Sequence, residues 1–184
     1  LCKEDLFPTI SNPDKNFKIP KTARIDGCGE EGSENFFVPR KHGVLMQIAP
    51  TILSEKPYPV KGWVSTRFNH LINVAGVDKS VEAIKKLDFV LAIDVYMSDF
   101  ACLADVILPE STYLERDESI QNKGGTAPGF VMRNKAVEPV GDTKCGYEIF
   151  RELARVMKID KDYTWNNIDE YRMQQAKGNA ELIA

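Results

Sequence analysis

The chain has 184 residues, 43% of them hydrophobic and 28% charged, ordinary values for one globular domain with a sizeable core, or one domain plus extensions. Its 24 basic and 27 acidic residues leave a net charge of −3, which argues against a dedicated nucleic-acid or membrane-surface binder. No apolar run approaches the roughly 20 residues that span a bilayer, and the charged opening Leu1-Cys2-Lys3-Glu4-Asp5 is not a signal peptide.

The four cysteines, Cys2, Cys28, Cys102 and Cys145, are scattered and contain no C-x-x-C pair, so no zinc or iron–sulfur site is expected. Cys102 lies in an apolar stretch and is expected to be a buried small hydrophobe. The chain opens irregularly and without Met, and reads as an internal piece of something larger.

Residues 1–42 carry Pro8, Pro13, Pro20 and Pro39 with no sustained period, and read as an irregular N-terminal segment. Residues 43–160 read as one α/β domain and 161–184 as a C-terminal helical extension. Within the domain, Val44, Ile48 and Ile52 recur at helical spacing, with Pro50 expected to kink or split the helix. Gly62 to Phe68 reads as a strand, Asn69 to Val77 as a loop, and Asp78 to Leu87 as a helix capped by Asp78 or Ser80. Phe89 to Ile93 and Val106 to Leu108 are short apolar runs of the kind that form buried parallel strands. Ser98 to Leu103 between them fits about a turn and a half of helix, with Ser98 as cap.

Strands alternating with helices in this way imply a doubly wound, mostly parallel sheet with helices on both faces. Residues 113–134 read as a loop or loose hairpin, and Gly124-Gly125 there as a plain turn before a phosphate loop. Gly146 to Met157 reads as a helix with Tyr147, Phe150, Leu153, Ala154 and Met157 on one face, capped by Asp142 or Thr143. A last helix covers Ile168 to Ala176, capped by Asn166 or Asn167.

In an open α/β sheet ligands bind beyond the carboxyl ends of the strands. Asp94 ends the first buried strand, where a carboxylate can accept two hydrogen bonds from a ribose diol or from the adjacent N–H groups of guanine; the alternative is a cap or a solvated strand end. Asp105 reads as an anchor for a loop. Arg116 could hold a phosphate, stack on a base, or form a surface ion pair. His42 and His70, the two histidines, sit beside no Ser or Cys nucleophile, and no carboxylate–histidine set has metal-ligand spacing, so no catalytic or metal residue is assigned.

Ala104-Asp105-Val106-Ile107-Leu108-Pro109 followed by Ser111-Thr112-Tyr113-Leu114-Glu115-Arg116 resembles a signature of the molybdopterin-dependent oxidoreductases, the dimethyl-sulfoxide-reductase superfamily. Asn69 and its loop, the run Lys86 to Asp94, Val137-Glu138-Pro139 and Asp142 to Ile149 are similar to flanking motifs of that family. Pro57 to Lys61 and Asp142-Thr143-Lys144 most resemble the catalytic subunits of thiosulfate/polysulfide reductases. The resemblance covers roughly Tyr58 to Met157. His70 departs from it, standing where proline is common, as do Asp117 to Ser119 and Gly146.

The resemblance implies a Rossmann-like domain holding the guanosine end of one molybdopterin guanine dinucleotide, with molybdenum or tungsten, in a larger oxidoreductase. Arg67, Phe68, Asn69, Ile93, Asp94 and Arg116 would be the cofactor-binding positions, and the fragment alone would be inactive. The iron–sulfur cluster and metal ligand would lie outside this chain. An iron–sulfur electron-transfer subunit and a membrane anchor subunit are the implied partners, besides the remaining domains of the parent, and a periplasmic or membrane-associated location is implied for it. A reading of another class is a free-standing nucleotide-binding or protein-interaction module with no redox role.

Overall fold

The computed structural model describes residues 23–28, 31–37, 43–123 and 129–177. They fall into two compact units, one running up to Glu110 and the other from Ser111. The opening residues, His42 and Gly124-Gly125 lie outside the described residues.

In the first unit the chain enters through turns over 23–28 and 31–37 and reaches a 3-10 turn at Leu45–Gln47, which runs into helix α1 (Ile48–Ser54). Pro50 is the third residue of α1, so the expected split falls ahead of it. In the first helical turn a missing N–H breaks no intrahelical bond. Glu55 closes α1 in the left-handed conformation, donating its N–H to Thr51 O. Strand β1 (Gly62–Thr66) follows, then a short helix α2 (His70–Asn73) and helix α3 (Val77–Lys86).

Two sequence expectations are corrected here. The stretch after Asn69 is a helical turn rather than a loop, because the Asn69 side chain caps it by accepting from Leu71 N at 3.2 Å. The N-cap of α3 is Gly76, not Asp78 or Ser80: its φ of +85° turns the chain through a region that favours glycine.

Strands β2 (Phe89–Asp94) and β3 (Val106–Pro109) complete a parallel sheet of order β1-β2-β3. Thr66 stands beside Ile93, and Ile93 beside Leu108, so the three carboxyl ends come out level. The α/β fold and parallel sheet are as expected. The 3-10 turn Ala101–Leu103 replaces the expected α-helical turn and a half between β2 and β3. Its tighter geometry leaves Ala101 buried and Cys102 exposed, reversing the expectation for Cys102.

Val90 and Ala92 on one face of β2 pack with Leu71, Ile84, Phe100 and Ala101, with Trp63 and Ile107 against them. Both crossovers therefore cover the same face, which for these elements corrects the expected helices on both faces: with strand order β1-β2-β3, successive crossovers of one hand fall on one side. Ala49 and Ile52 of α1 pack in turn on Ala83 of α3. Asp105 accepts Val90 N at 2.7 Å, the anchoring role expected of it.

The second unit holds the segment from Ser111, the antiparallel hairpin β4 (Gln121–Lys123) and β5 (Gly129–Val131), helix α4 (Gly146–Val156) and helix α5 (Ile168–Ala176). α4 is capped by Cys145, with Glu148 reaching back to the Cys145 N–H, and not by Asp142 or Thr143. Its buried face is Gly146, Ile149 and Ala154, while Phe150 and Met157 of the expected face are exposed. α5 has the expected bounds and uses Asn167 as cap, accepting from Glu170 N at 2.9 Å. It is fastened to the chain on both sides of the hairpin: Arg172 donates to Glu118 O and Arg133 O, and the Gln175 amide bonds both the N–H and the O of Ile120.

Candidate functional site

The level carboxyl ends of β1, β2 and β3 bring three backbone-anchored groups together, all within the first unit. Asp94 ends β2 and is 8% exposed. Its Oδ1 accepts Val95 N at 2.8 Å and its Oδ2 accepts the Ser98 hydroxyl at 2.9 Å. Ser98 Oγ in turn accepts Ala101 N at 3.2 Å and so holds the turn, although the N-cap of the 3-10 turn itself is Phe100 and not the expected Ser98. A carboxylate has about four acceptor positions; among the described residues these internal bonds fill two, one on each oxygen.

Beyond β1, Arg67 has φ +51° and donates its N–H to Ile93 O at 2.9 Å, which extends the β1–β2 ladder by one rung. The left-handed conformation costs a non-glycine residue about 1–2 kcal/mol, and it persists where surrounding bonds over-determine it. Here the guanidinium is one such restraint: Arg67 Nε donates to Glu110 Oε2 at 2.6 Å, and its terminal nitrogen donates to Glu110 Oε1. Glu110 has a fully buried side chain, and its own N–H donates to Asp94 O at 2.9 Å. A two-pronged ion pair thus joins the residue after β1 to the residue after β3.

Phe68 and Asn69 continue the rim. The Phe68 carbonyl accepts the Ser65 hydroxyl at 2.9 Å. Asn69 is 7% exposed; its Nδ2 donates to Asp99 Oδ2 at 3.1 Å while its Oδ1 caps α2. Ile93 is fully buried beneath this rim.

The structure therefore brings Arg67, Phe68, Asn69, Ile93 and Asp94 to one sheet edge. Arg116, the sixth expected position, belongs to the second unit. There it is 8% exposed, with its guanidinium donating to Ser111 O and Glu118 Oε1, both at 2.6 Å.

Sequence reasoning missed two residues of the edge. Glu110 finds its partner 43 positions away, a separation no local pattern reports. His70, wholly buried, touches Trp63 and Phe68 edge-on at 4.9 and 6.1 Å; its place in a position where proline is common was the one available signal. Among the described residues, no cluster of His, Cys, Asp and Glu could hold a metal ion, and no helix is long and apolar enough to cross a membrane.

Against known proteins, the family model of molybdopterin oxidoreductases matches residues 44–156, which spans β1, β2, β3 and the whole of this edge. The chain belongs to the molybdopterin oxidoreductase family. This family member is similar to the thiosulfate reductase molybdopterin-containing subunit PhsA of Salmonella typhimurium, with 32% identity over 99% of the chain and 24% of that protein. It is also similar to trimethylamine-N-oxide reductase 1 of Escherichia coli, 27% identical over 64% of the chain and 14% of that protein.

Among solved structures, acetylene hydratase from Pelobacter acetylenicus superposes with a TM-score of 0.60 and 27% identity over 72% of the chain and 20% of the hydratase. The chain thus spans about a quarter, or less, of the length of these relatives.

Proposed function

We propose that the carboxyl edge of the β1-β2-β3 sheet seats the guanosine end of one molybdopterin guanine dinucleotide, within a catalytic subunit like those of thiosulfate and polysulfide reductases. The observation that carries this is Asp94: a nearly buried carboxylate at the end of the central strand, inside the family span, with one internal bond on each oxygen among the described residues. Two adjacent acceptors fit the two neighbouring N–H groups on the edge of guanine. The cofactor, when bound, supplies the redox chemistry. This chain's residues orient its distal nucleotide: Asp94 pairs with the base or ribose, and Arg67, Phe68 and Asn69 wall the seat above Ile93. The engaged, buried guanidinium of Arg116 favours holding the Ser111–Glu118 segment in shape over direct contact with an anion.

Residues 43–160 serve as the cofactor-binding domain in this reading, in keeping with the family span of 44–156. The longer protein would carry the iron–sulfur cluster and the metal ligand, pair with an electron-transfer subunit and a membrane anchor, and act at the periplasmic side of a membrane. The similarity to thiosulfate reductase supports these assignments.

Asp94→Ala is expected to weaken GDP binding by about 1–3 kcal/mol, the range for hydrogen bonds to a charged group, measured by calorimetry on a variant shown to be folded. Because Asp94 also holds the turn to Ser98, Ser98→Ala serves as control: it removes the internal bond but keeps the carboxylate, and affinity should change far less. Equal losses in the two variants would assign Asp94 to the turn and not to the ligand.

A further inference from the structure

His70 has no part in the proposed seat, yet it is the largest polar side chain in the first unit that is wholly buried without a partner. Its exposure is 0%, and neither Nδ1 nor Nε2 has a hydrogen-bond partner among the described residues. Its neighbours are the rings of Trp63 and Phe68, which stand at 73° and 61° to the imidazole, and Trp63 continues into Phe100 at 5.0 Å. Burial in this aromatic seat holds the imidazole below its ordinary range of proton affinity.

Among the described residues no carboxylate is bonded to the imidazole to pair with an imidazolium there. β1 carries none. Arg67 is cationic and occupied by Glu110, Asp94 by Val95 N and Ser98, and Asp105 by Val90 N. Asp99, with Cys102 and Tyr96 nearby in sequence, is exposed and bonded to Asn69. On α3, Asp78, Lys79, Glu82, Lys85 and Lys86 are all exposed.

His70 is also the first residue of α2, the four-residue helix that depends on the Asn69 cap. The N–H groups of Leu71, Ile72, Asn73 and Val74 all bond back to Asn69 or His70. An imidazolium buried without a hydrogen-bond partner is costly to hold, and lifting α2 carries it to water. That motion breaks the cap and frees Asn69 from the rim.

We propose that His70 is an acid-sensing latch, whose protonation releases α2 and with it the Asn69 side of the sheet edge. The latch itself does not depend on the guanosine reading; only its consequence for nucleotide binding does. The sign follows from the geometry. The closed state keeps His70 neutral and the open state lets it titrate near 6.5, so the closed state is favoured above that pH and lost as pH falls below it.

Amide hydrogen exchange of Leu71 to Val74 tests this, read at pH 7 and pH 5 and corrected for intrinsic exchange. An open state titrating near 6.5 predicts a loss of protection of about 25-fold between the two. Protection of β2, residues 89–94, should hold. His70→Phe fills the same seat and cannot take a proton, so α2 in that variant should keep its protection at pH 5. An unchanged wild-type α2 would overturn the proposal, as would an equal loss in β2 or the same loss in His70→Phe. The wild-type comparison of α2 with β2 decides the matter even where the variant does not fold.

Discussion

Arg67→Met is expected to lower the unfolding free energy by about 1–3 kcal/mol, the cost of taking a charged donor from a buried acceptor, because Arg67 is itself 39% exposed and water screens part of the pair. The residue left behind is Glu110, whose side chain is fully buried. The loss comes chiefly from the two charge-assisted bonds that this carboxylate gives up, since a charge taken out of water depends on its donors. The double variant Arg67→Met with Glu110→Leu separates this from the worth of the pair. An apolar pair of similar volume is often neutral against a buried ion pair, so the double variant should be far closer to wild type than the single one. Urea unfolding of the three proteins measures it. If the single and double variants were equally unstable, the pair would not be the fastener that levels the ends of β1 and β3.

The second large effect is expected at Phe100. Its ring is 1% exposed, meets Trp63 edge-on at 5.0 Å, and shares a cluster with Leu71, Ile84, Val90, Ala92 and Ala101. Phe100→Ala should cost about 3–5 kcal/mol through lost transfer energy and the cavity that remains. Phe100→Leu, which keeps most of the volume, should cost roughly 1–2 kcal/mol. The site is affected as well as the core, because Ser98, two residues earlier, holds Asp94 Oδ2. A loosened Phe100 should therefore release the Ser98 turn, seen as faster amide exchange at Ala101, whose N–H bonds to Ser98 Oγ.

The parts of this fold that could be read in the sequence were those set by short-range pattern. The run Phe89–Ile93 is apolar on both faces because β2 is the central strand, and the match of β2 and β3 to two such runs follows from that. α5 was legible because Asn167 and the acidic residues after it mark a helix start. The burial of α4 was legible in Ala154 but not in the rest of its covered face. Tyr147 and Phe150 are large and apolar at helical spacing, yet the face that is covered bears Gly146, Ile149 and Ala154. Counting hydrophobicity ranks side chains by size, whereas close packing against a neighbour can favour the small ones.

Asp94 was legible as a residue at a strand end, but its internal bonds were not, since they depend on where the chain turns after Tyr96. The Arg67–Glu110 pair and the seat of His70 lie further still from local pattern. The pair arises only when strands distant in sequence are brought into register, and the seat only when the chain turns back after β1 to lay His70 on Trp63 and Phe68. The family motifs located the edge without revealing how it is held together.

The central claim is that this edge recognises guanosine, and the most direct test is a titration with GDP and, separately, ADP, followed by amide shifts. Affinity for the isolated nucleotide is expected near the millimolar level, about −4 kcal/mol. GDP should move the amides of Asn69, Ile93 and Asp94 in a saturable manner while ADP leaves them in place. Equal movement with the two nucleotides would contradict guanosine recognition and favour a generic nucleotide-binding module.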